Sequence, residues 1–197
     1  MNVPVISTNV ARRGNAFMRW MMIGLMRLTG WRFTGSDFPD IRKFVLIVAP
    51  HTSNWDFPVG IMAMYALGIR GTFLGKDTLF KFPLGVLMRF LGGFPVDRSA
   101  RSDVVTQTVE LVERSERIIV VLSPEGTRKL TPRWRSGFYW IAQKSGIPIL
   151  PIAFDFSRRA IHVHPVFAPT GDQDADIAEL RKLFGPEMAF YPEKYAP

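Results

Sequence analysis

Residues 45–60 read VLIVAPHTSNWDFPVG and pass from an apolar run through a polar loop into a helical pattern. The apolar run predicts a buried strand, and the hydroxyl and amide side chains behind it favour a helix start. On a regular helix, two residues five apart do not face each other. His51 and Asp56 can therefore meet only if His51 lies in the loop and Asp56 in the first helical turn. The stretch predicts a strand-to-helix elbow that brings an imidazole and a carboxylate together.

The same alternation of short apolar runs and helical patterns continues along most of the chain. We predict strands near residues 44–49, 72–75, 94–97, 118–123, 147–154 and 161–167. We predict helices near residues 13–29, 54–67, 79–91, 102–115, 135–145 and 174–184. Such alternation is typical of an α/β fold with a mixed, largely parallel central sheet flanked by helices. No linker divides the 197 residues, so we expect a single domain over residues 1–197.

The amino-acid composition excludes some kinds of chemistry and favours one kind of binding partner. The chain contains no cysteine, which excludes disulfides, thiolate metal sites and a cysteine nucleophile, and this fits a reducing compartment. Its formal net charge is +8. A basic balance of this size favours an anionic partner, which could be nucleic acid, an anionic lipid surface or a phosphorylated substrate.

The segment 16–28, AFMRWMMIGLMRL, is apolar almost all round but is interrupted by two arginines. Its longest uninterrupted apolar run, residues 20–26, is too short to span a bilayer. We expect an amphipathic helix over residues 13–29, which either packs on its own domain or lies in a membrane interface. Residues 79–91 are also apolar with embedded basic groups, which favours the second alternative. The sequence thus predicts peripheral association with an anionic membrane surface, at the cytoplasmic face.

Polar clusters follow three of the predicted strands, at residues 51–56, 97–98 and 123–128. In open α/β sheets, ligands bind outside the carboxyl ends of the strands, so we expect the clusters to face one crevice. Arg98 and Arg128 lie in loops from which a guanidinium can reach a phosphate. Alternatively, each arginine forms a surface ion pair with an acidic residue of its own loop.

The pair of His51 and Asp56 is suited to moving a proton. A carboxylate bonded to one imidazole nitrogen fixes the tautomer and leaves the other nitrogen free to accept a proton. The imidazole can then take the proton directly from a substrate hydroxyl, and no serine or cysteine nucleophile is required. The structural alternative is a capping box in which Ser53 caps the helix and Asp56 bonds to the Ser53 amide.

Four sequence blocks, in order along the chain, resemble those of the glycerolipid acyltransferase family, whose members include the 1-acylglycerol-3-phosphate acyltransferases. The first is an H-x4-D pattern at residues 51–56. The others are GGFPVDR at residues 92–98, PEGTR at residues 124–128 and IPILP at residues 147–151. A single H-x4-D pattern is common, but the ordered set of four is specific.

This resemblance implies a role for each matching residue. His51 would be the general base and Asp56 its orienting carboxylate. The acceptor's glycerophosphate would be bound by residues of the second and third blocks, namely Arg98, Glu125, Gly126, Thr127 and Arg128. The implied reaction transfers a fatty acyl group from acyl-CoA or acyl carrier protein to a lysophospholipid hydroxyl, without a metal or a bound cofactor. Since the chain has no clear membrane-spanning hairpin, an amino-acid-linked lipid or a glycolipid is an alternative acceptor.

Other interpretations of the sequence remain open at this point. The charge and the basic amphipathic segments would also suit a non-catalytic module that binds anionic lipid. A nucleic-acid-binding module is disfavoured, because no recognised motif is present and the aromatic residues lie within apolar segments. His162 and His164 project from one face of a predicted strand as a metal pair could, but without a third ligand we expect an ordinary strand face. Aromatic residues in the segment 134–140 are expected in the core rather than along an acyl groove.

Overall fold

The computed structural model describes residues 3–96 and 101–196, apart from the side chains of Lys76 and of residues 101–103. In this part of the chain the strands are β1 (Arg32–Gly35), β2 (Lys43–Ala49), β3 (Gly71–Lys76), β4 (Gly93–Val96), β5 (Ile118–Leu122), β6 (Ile149–Asp155) and β7 (Ala160–Val163). The α-helices are α1 (Ala16–Thr29), α2 (Asp56–Leu67), α3 (Leu84–Phe90), α4 (Arg101–Arg114), α5 (Gly137–Ser145) and α6 (Gln173–Arg181). Short 3-10 turns occur at Asp77–Phe80, Pro186–Met188 and Pro192–Lys194.

The strands of the described residues form one sheet in the order β1-β7-β6-β2-β5-β3-β4. Strand β2 lies between β5 and β6 and is parallel to both. The pairing of β6 with β7 is antiparallel, whereas β1 is parallel to β7. The predicted fold class is therefore confirmed: a single α/β domain with a mixed, largely parallel sheet.

The hydrophobic core lies on both faces of the sheet, because successive strand side chains point to opposite sides. On β2, Phe44 and Leu46 pack into a cluster with residues of α1 and α2. Their neighbours Val45 and Ile47 pack into a second cluster with residues of α5 and α6. Burial on both faces explains why β2 reads as a continuous apolar run rather than as an alternating pattern.

The main differences between the predicted and the observed elements have physical reasons. Strand β1 is not among the predicted strands, because its sequence RFTG is short and partly exposed, and it pairs with β7 at the sheet edge. Strand β7 ends at Val163, and Pro165, which lacks an N–H, follows. The helix expected over residues 79–91 is divided into a 3-10 turn and the shorter α3, with Pro83 at the α3 N-cap.

Helix α1 begins at Ala16 rather than at residue 13, with Asn15 as its N-cap. One face packs on α2 and buries Met26 completely, as the intramolecular alternative requires. The other face leaves large apolar side chains in solvent, and Trp20 and Leu28 are 73% and 84% exposed. Among the described residues no helix has both the length and the apolar character needed to cross a bilayer.

Candidate active site

The carboxyl end of β2 leads into the predicted elbow. Strand β2 ends at Ala49 and α2 begins at Asp56, so His51 lies in the connection. Nδ1 of His51 is 2.9 Å from Oδ2 of Asp56. The Asp56 side chain is only 2% exposed, whereas the imidazole is 25% exposed. Since the carboxylate faces Nδ1, Nε2 is the nitrogen available to a substrate.

The capping interpretation is confirmed for Asp56 but not for Ser53, because the N-cap of α2 is Trp55, whose side chain forms no capping hydrogen bond. The same Oδ2 atom accepts a hydrogen bond from the Ser53 backbone N–H at 2.9 Å. The Ser53 hydroxyl accepts from the Trp55 N–H at 3.1 Å, one residue earlier than a regular capping box would use. The catalytic and structural interpretations are therefore compatible, because one oxygen both holds the helix start and faces the imidazole.

The third block meets the first because β5 pairs directly with β2 and both strands end at the same edge. Glu125, which follows β5, is 5% exposed. Its Oε2 accepts the His51 backbone N–H at 2.7 Å and lies 3.3 Å from the Ser123 hydroxyl. Burial disfavours the charged carboxylate and raises the pKa of Glu125 to about 7. The observed contact of this carboxylate thus fixes the His51 backbone, and its role in acceptor binding stays a prediction.

The rest of the third block forms an exposed turn beside this pair. Gly126 has φ +65°, in the left-handed region that favours glycine. The Thr127 hydroxyl accepts the Lys129 N–H at 3.2 Å within the turn. Arg128 is exposed, and no carboxylate of the described residues forms an ion pair with it. Its guanidinium is therefore available to an anion, and its acceptor-binding role stays a prediction.

The second block is described only in part. Strand β4 includes residues 93–96 of this block. Arg98, predicted to bind the acceptor phosphate, lies outside the described residues together with Asp97. Its role stays a prediction.

Two contacts at this site were not predicted from the sequence. Arg135 donates its backbone N–H to the Pro124 carbonyl at 2.7 Å, and its side chain lies across Gly126. The carboxyl-terminal residues also return to the site, where the Tyr191 N–H donates to the Thr52 hydroxyl at 3.2 Å. Neither contact has a motif in the sequence, because each depends on the folded path of the chain.

The remaining candidates lie elsewhere. Nδ1 of His162 is 3.0 Å from the Thr34 hydroxyl, and its ring packs against that of His164 with 4.6 Å between centroids. Burial and the neighbouring His162 lower the pKa of His164 to about 4. Within the described chain, no group of three or more His, Asp or Glu side chains is placed to hold a metal ion. Trp134, Phe138 and Tyr139 are buried in the core, as expected, whereas for Trp140 the expectation was wrong, since its side chain is 39% exposed.

Comparison with known proteins decides the family. A model of the acyltransferase family matches residues 18–155, a range that contains all four blocks. The chain belongs to this acyltransferase family. The match bears out the resemblance to glycerolipid acyltransferases on which the residue roles depend.

The chain is also similar in sequence to two individual acyltransferases. The chain is 28% identical over 182 residues to human 1-acyl-sn-glycerol-3-phosphate acyltransferase beta, a match that covers 88% of this chain and 64% of that protein. It is 29% identical over 109 residues to the chloroplastic 1-acyl-sn-glycerol-3-phosphate acyltransferase BAT2 of Brassica napus, covering 52% of this chain and 31% of that protein. The chain thus spans less than two thirds of the length of either relative.

The fold is also similar to a solved structure, the 1-acyl-sn-glycerophosphate acyltransferase PlsC from Thermotoga maritima. The two superpose with a TM-score of 0.59 at 19% sequence identity. The superposition covers 84% of this acyltransferase-family chain and 76% of PlsC. At this level of identity the similarity concerns the fold.

Proposed function

We propose that the protein transfers a fatty acyl group from a thioester, acyl-CoA or acyl carrier protein, to the hydroxyl of a lysophospholipid such as 1-acylglycerol-3-phosphate. The contact between His51 and Asp56 carries the proposal, because a buried carboxylate aims a partly exposed imidazole at the carboxyl edge of the sheet. Membership of the acyltransferase family and the names of both curated relatives support the same reaction class.

The chemistry follows from the free imidazole nitrogen. Nε2 of His51 accepts the proton of the acceptor hydroxyl while the hydroxyl oxygen forms a bond to the carbonyl carbon of the thioester. Asp56 stabilises the resulting imidazolium across the 2.9 Å contact. The tetrahedral intermediate then breaks its carbon–sulfur bond, and the proton passes from the imidazolium to the leaving sulfur. The products are the acylated lipid and a free thiol, so the base is regenerated without a metal or a bound cofactor.

An anionic acceptor is supported by the third block. Arg128 is exposed and has no ion-pair partner among the described residues, and it follows the Glu125 that touches the His51 loop. A guanidinium in this position can bind a phosphate of the acceptor through charged hydrogen bonds. The net charge of +8 draws both an anionic lipid and the anionic carrier of the thioester towards the protein.

Two exposed apolar segments support peripheral binding to a membrane, which we place at the cytoplasmic face. On α1 the exposed side chains are Phe17, Trp20, Met21, Leu25 and Leu28. On the segment 79–90 they are Leu79, Phe82, Leu84, Val86, Leu87 and Phe90. The Arg13 guanidinium stacks over Phe90 of this segment and over Tyr65 of α2, the helix on which α1 packs. Basic groups beside such side chains suit an interface with anionic headgroups.

The reaction is tested by supplying the purified protein with either thioester and a panel of lyso-lipids, and by identifying the products by mass spectrometry. The panel contains 1-acylglycerol-3-phosphate, a neutral lyso-lipid, an amino-acid-linked lyso-lipid and a lyso-glycolipid. We expect a diacyl product from the phosphorylated acceptor. An acylated product only from another member would reassign the acceptor, and vesicle binding without any acylated product would favour the non-catalytic lipid-binding module.

Membrane binding is tested by sedimentation with vesicles that contain anionic lipid. We expect Trp20→Glu and Leu28→Glu, alone or combined, to lower the bound fraction, because each places a charge in the apolar layer. Val166→Glu is the matched control, since Val166 is exposed outside both segments. Equal binding by all variants would contradict the role of α1.

A further inference from the structure

The carboxyl-terminal segment, residues 186–196, reaches the candidate site although the family match ends at residue 155. It consists of two 3-10 turns joined by an extended stretch. The Phe156 N–H donates to the Met188 carbonyl at 2.9 Å, and the Arg181 guanidinium donates to the Ala196 carbonyl at 3.3 Å. The segment is thus held at both ends by residues of the domain.

Between these anchors, the segment contacts the loop that carries the imidazole. The Tyr191 N–H donates to the hydroxyl of Thr52, a residue that is 3% exposed and directly follows His51. The preceding residue is held by Glu125, whose carboxylate accepts the His51 N–H at 2.7 Å. The loop is therefore fixed by one hydrogen bond from the segment and by one from the third block.

Tyr195 anchors the end of the segment in the core. Its side chain is buried and belongs to the hydrophobic cluster that contains Val45 and Ile47 of β2, the strand that leads to His51. Burial and the charge of Glu125 raise the pKa of Tyr195 to about 12. The Tyr195 hydroxyl is buried and has no hydrogen-bond partner among the described residues. What the ring contributes is therefore packing that holds the segment against the domain.

We propose that the carboxyl-terminal segment is a positioning element for His51: its Tyr191 amide holds Thr52, the residue after His51, and its Tyr195 ring anchors the segment in the core. The inference rests on the proposed function, in which His51 is the base. Neither tyrosine contacts the reacting atoms, so both act through the backbone of the loop. Placement of the base matters because a shift of about 1 Å can lower a rate by about 100-fold.

Tyr195 variants test whether the anchored segment matters for turnover. Tyr195→Ala removes the ring that anchors the segment, whereas Tyr195→Phe keeps the ring and removes only the unpartnered hydroxyl. Glu193→Ala is the matched control, because Glu193 is exposed in the same 3-10 turn. We expect Tyr195→Ala to lower kcat by up to about 100-fold with the acceptor KM unchanged. The other two variants should retain the wild-type kcat.

Thr52 supplies a second pair of variants if Tyr195→Ala does not fold. Thr52→Val preserves the shape but removes the acceptor of the Tyr191 amide, whereas Thr52→Ser preserves the acceptor. We expect Thr52→Val to lower kcat and Thr52→Ser to restore it. A wild-type kcat in folded Tyr195→Ala or, if that variant does not fold, in Thr52→Val would overturn the inference.

An NMR measurement keeps the inference testable without turnover. In ¹⁵N-labelled protein, the backbone amide and ring nitrogen signals of His51 should move in Tyr195→Ala and in Thr52→Val but not in Tyr195→Phe. Unmoved His51 signals would refute the positioning role. If the signals move as expected in the variants but the wild-type protein shows no acyl transfer, the proposed function alone is contradicted.

Discussion

Asp56→Asn separates the charge of one carboxylate from its hydrogen bonds. Oδ2 of Asp56 accepts the Ser53 N–H and lies 2.9 Å from Nδ1 of His51. An asparagine oxygen in the same place keeps both contacts, because an amide oxygen also accepts hydrogen bonds. The substitution removes the negative charge that, in the proposed mechanism, stabilises the imidazolium. We therefore expect kcat to fall by about 10²- to 10⁴-fold, the usual contribution of a general base.

The effect of Asp56→Asn on stability is worked from the second carboxylate oxygen. Oδ1 of Asp56 is buried and has no hydrogen-bond partner among the described residues. The asparagine NH2 takes this place as a buried donor without an acceptor, which costs at most about 1–3 kcal/mol of the free energy of unfolding. The variant should consequently stay folded while losing most of its activity.

The assay combines kcat at saturating substrates with urea denaturation monitored by tryptophan fluorescence. Asp56→Ala is the comparison, because it removes both contacts and leaves the Ser53 amide without its acceptor. It should lose at least as much activity as Asp56→Asn and more stability. A folded Asp56→Asn protein that turns over at the wild-type rate would refute the role of the charge.

Three further predictions concern the third block. The pKa of Glu125 is raised from 4.5 to about 7, so its buried carboxyl contributes stability below about pH 4.5 that is lost as pH rises to about 7. In Glu125→Gln the decrease in the free energy of unfolding between pH 5 and pH 8 should be smaller by up to about 3 kcal/mol, as measured by urea denaturation at both pH values. A pH dependence equal to that of the wild type would contradict this prediction. Gly126→Ala should destabilise by about 1 kcal/mol, since φ is +65° and the new Cβ would lie 2.6 Å from Cδ of Arg135. The control is Gly137→Ala, because a Cβ at Gly137 has no atom within 4 Å. Equal melting temperatures of the two variants in thermal unfolding would argue against strain at Gly126. Arg128→Ala should raise KM for a phosphorylated acceptor by about 10- to 100-fold without changing donor KM, and an unaltered preference for phosphate would exclude its role.

The elbow could be predicted because its determinants are local. The apolar run of β2 and the capping residues behind it require a change from strand to helix within residues 50–56. That change places His51 and Asp56 within hydrogen-bond distance. The meeting of the first and third blocks was also predictable in outline, because the carboxyl ends of parallel strands lie at one edge of the sheet.

The contacts that the sequence did not predict are long-range. Glu125 approaches the His51 amide across 74 residues, and Tyr191 approaches Thr52 across 139 residues. Nothing in the local composition of PEGTR shows that its carboxylate faces the protein interior. In the same way, β1 is too short and too exposed to be recognised without its partner β7.

The behaviour of α1 shows why the sequence left two alternatives open. The same helix buries Met26 against the domain and exposes Trp20 and Leu28 to solvent. A hydrophobic pattern that is apolar almost all round cannot indicate how many faces the domain covers. The packing on α2 settles one face, and vesicle binding tests the other.

The proposed role of His51 is tested most directly by acyl transfer in His51→Ala, measured as product per minute with an acyl thioester and 1-acylglycerol-3-phosphate in vesicles. If His51 is the base, turnover should fall by about 10²- to 10⁴-fold, the contribution of a general base, while vesicle binding and the folded state are retained. Undiminished turnover by the folded variant would show that another group takes the proton.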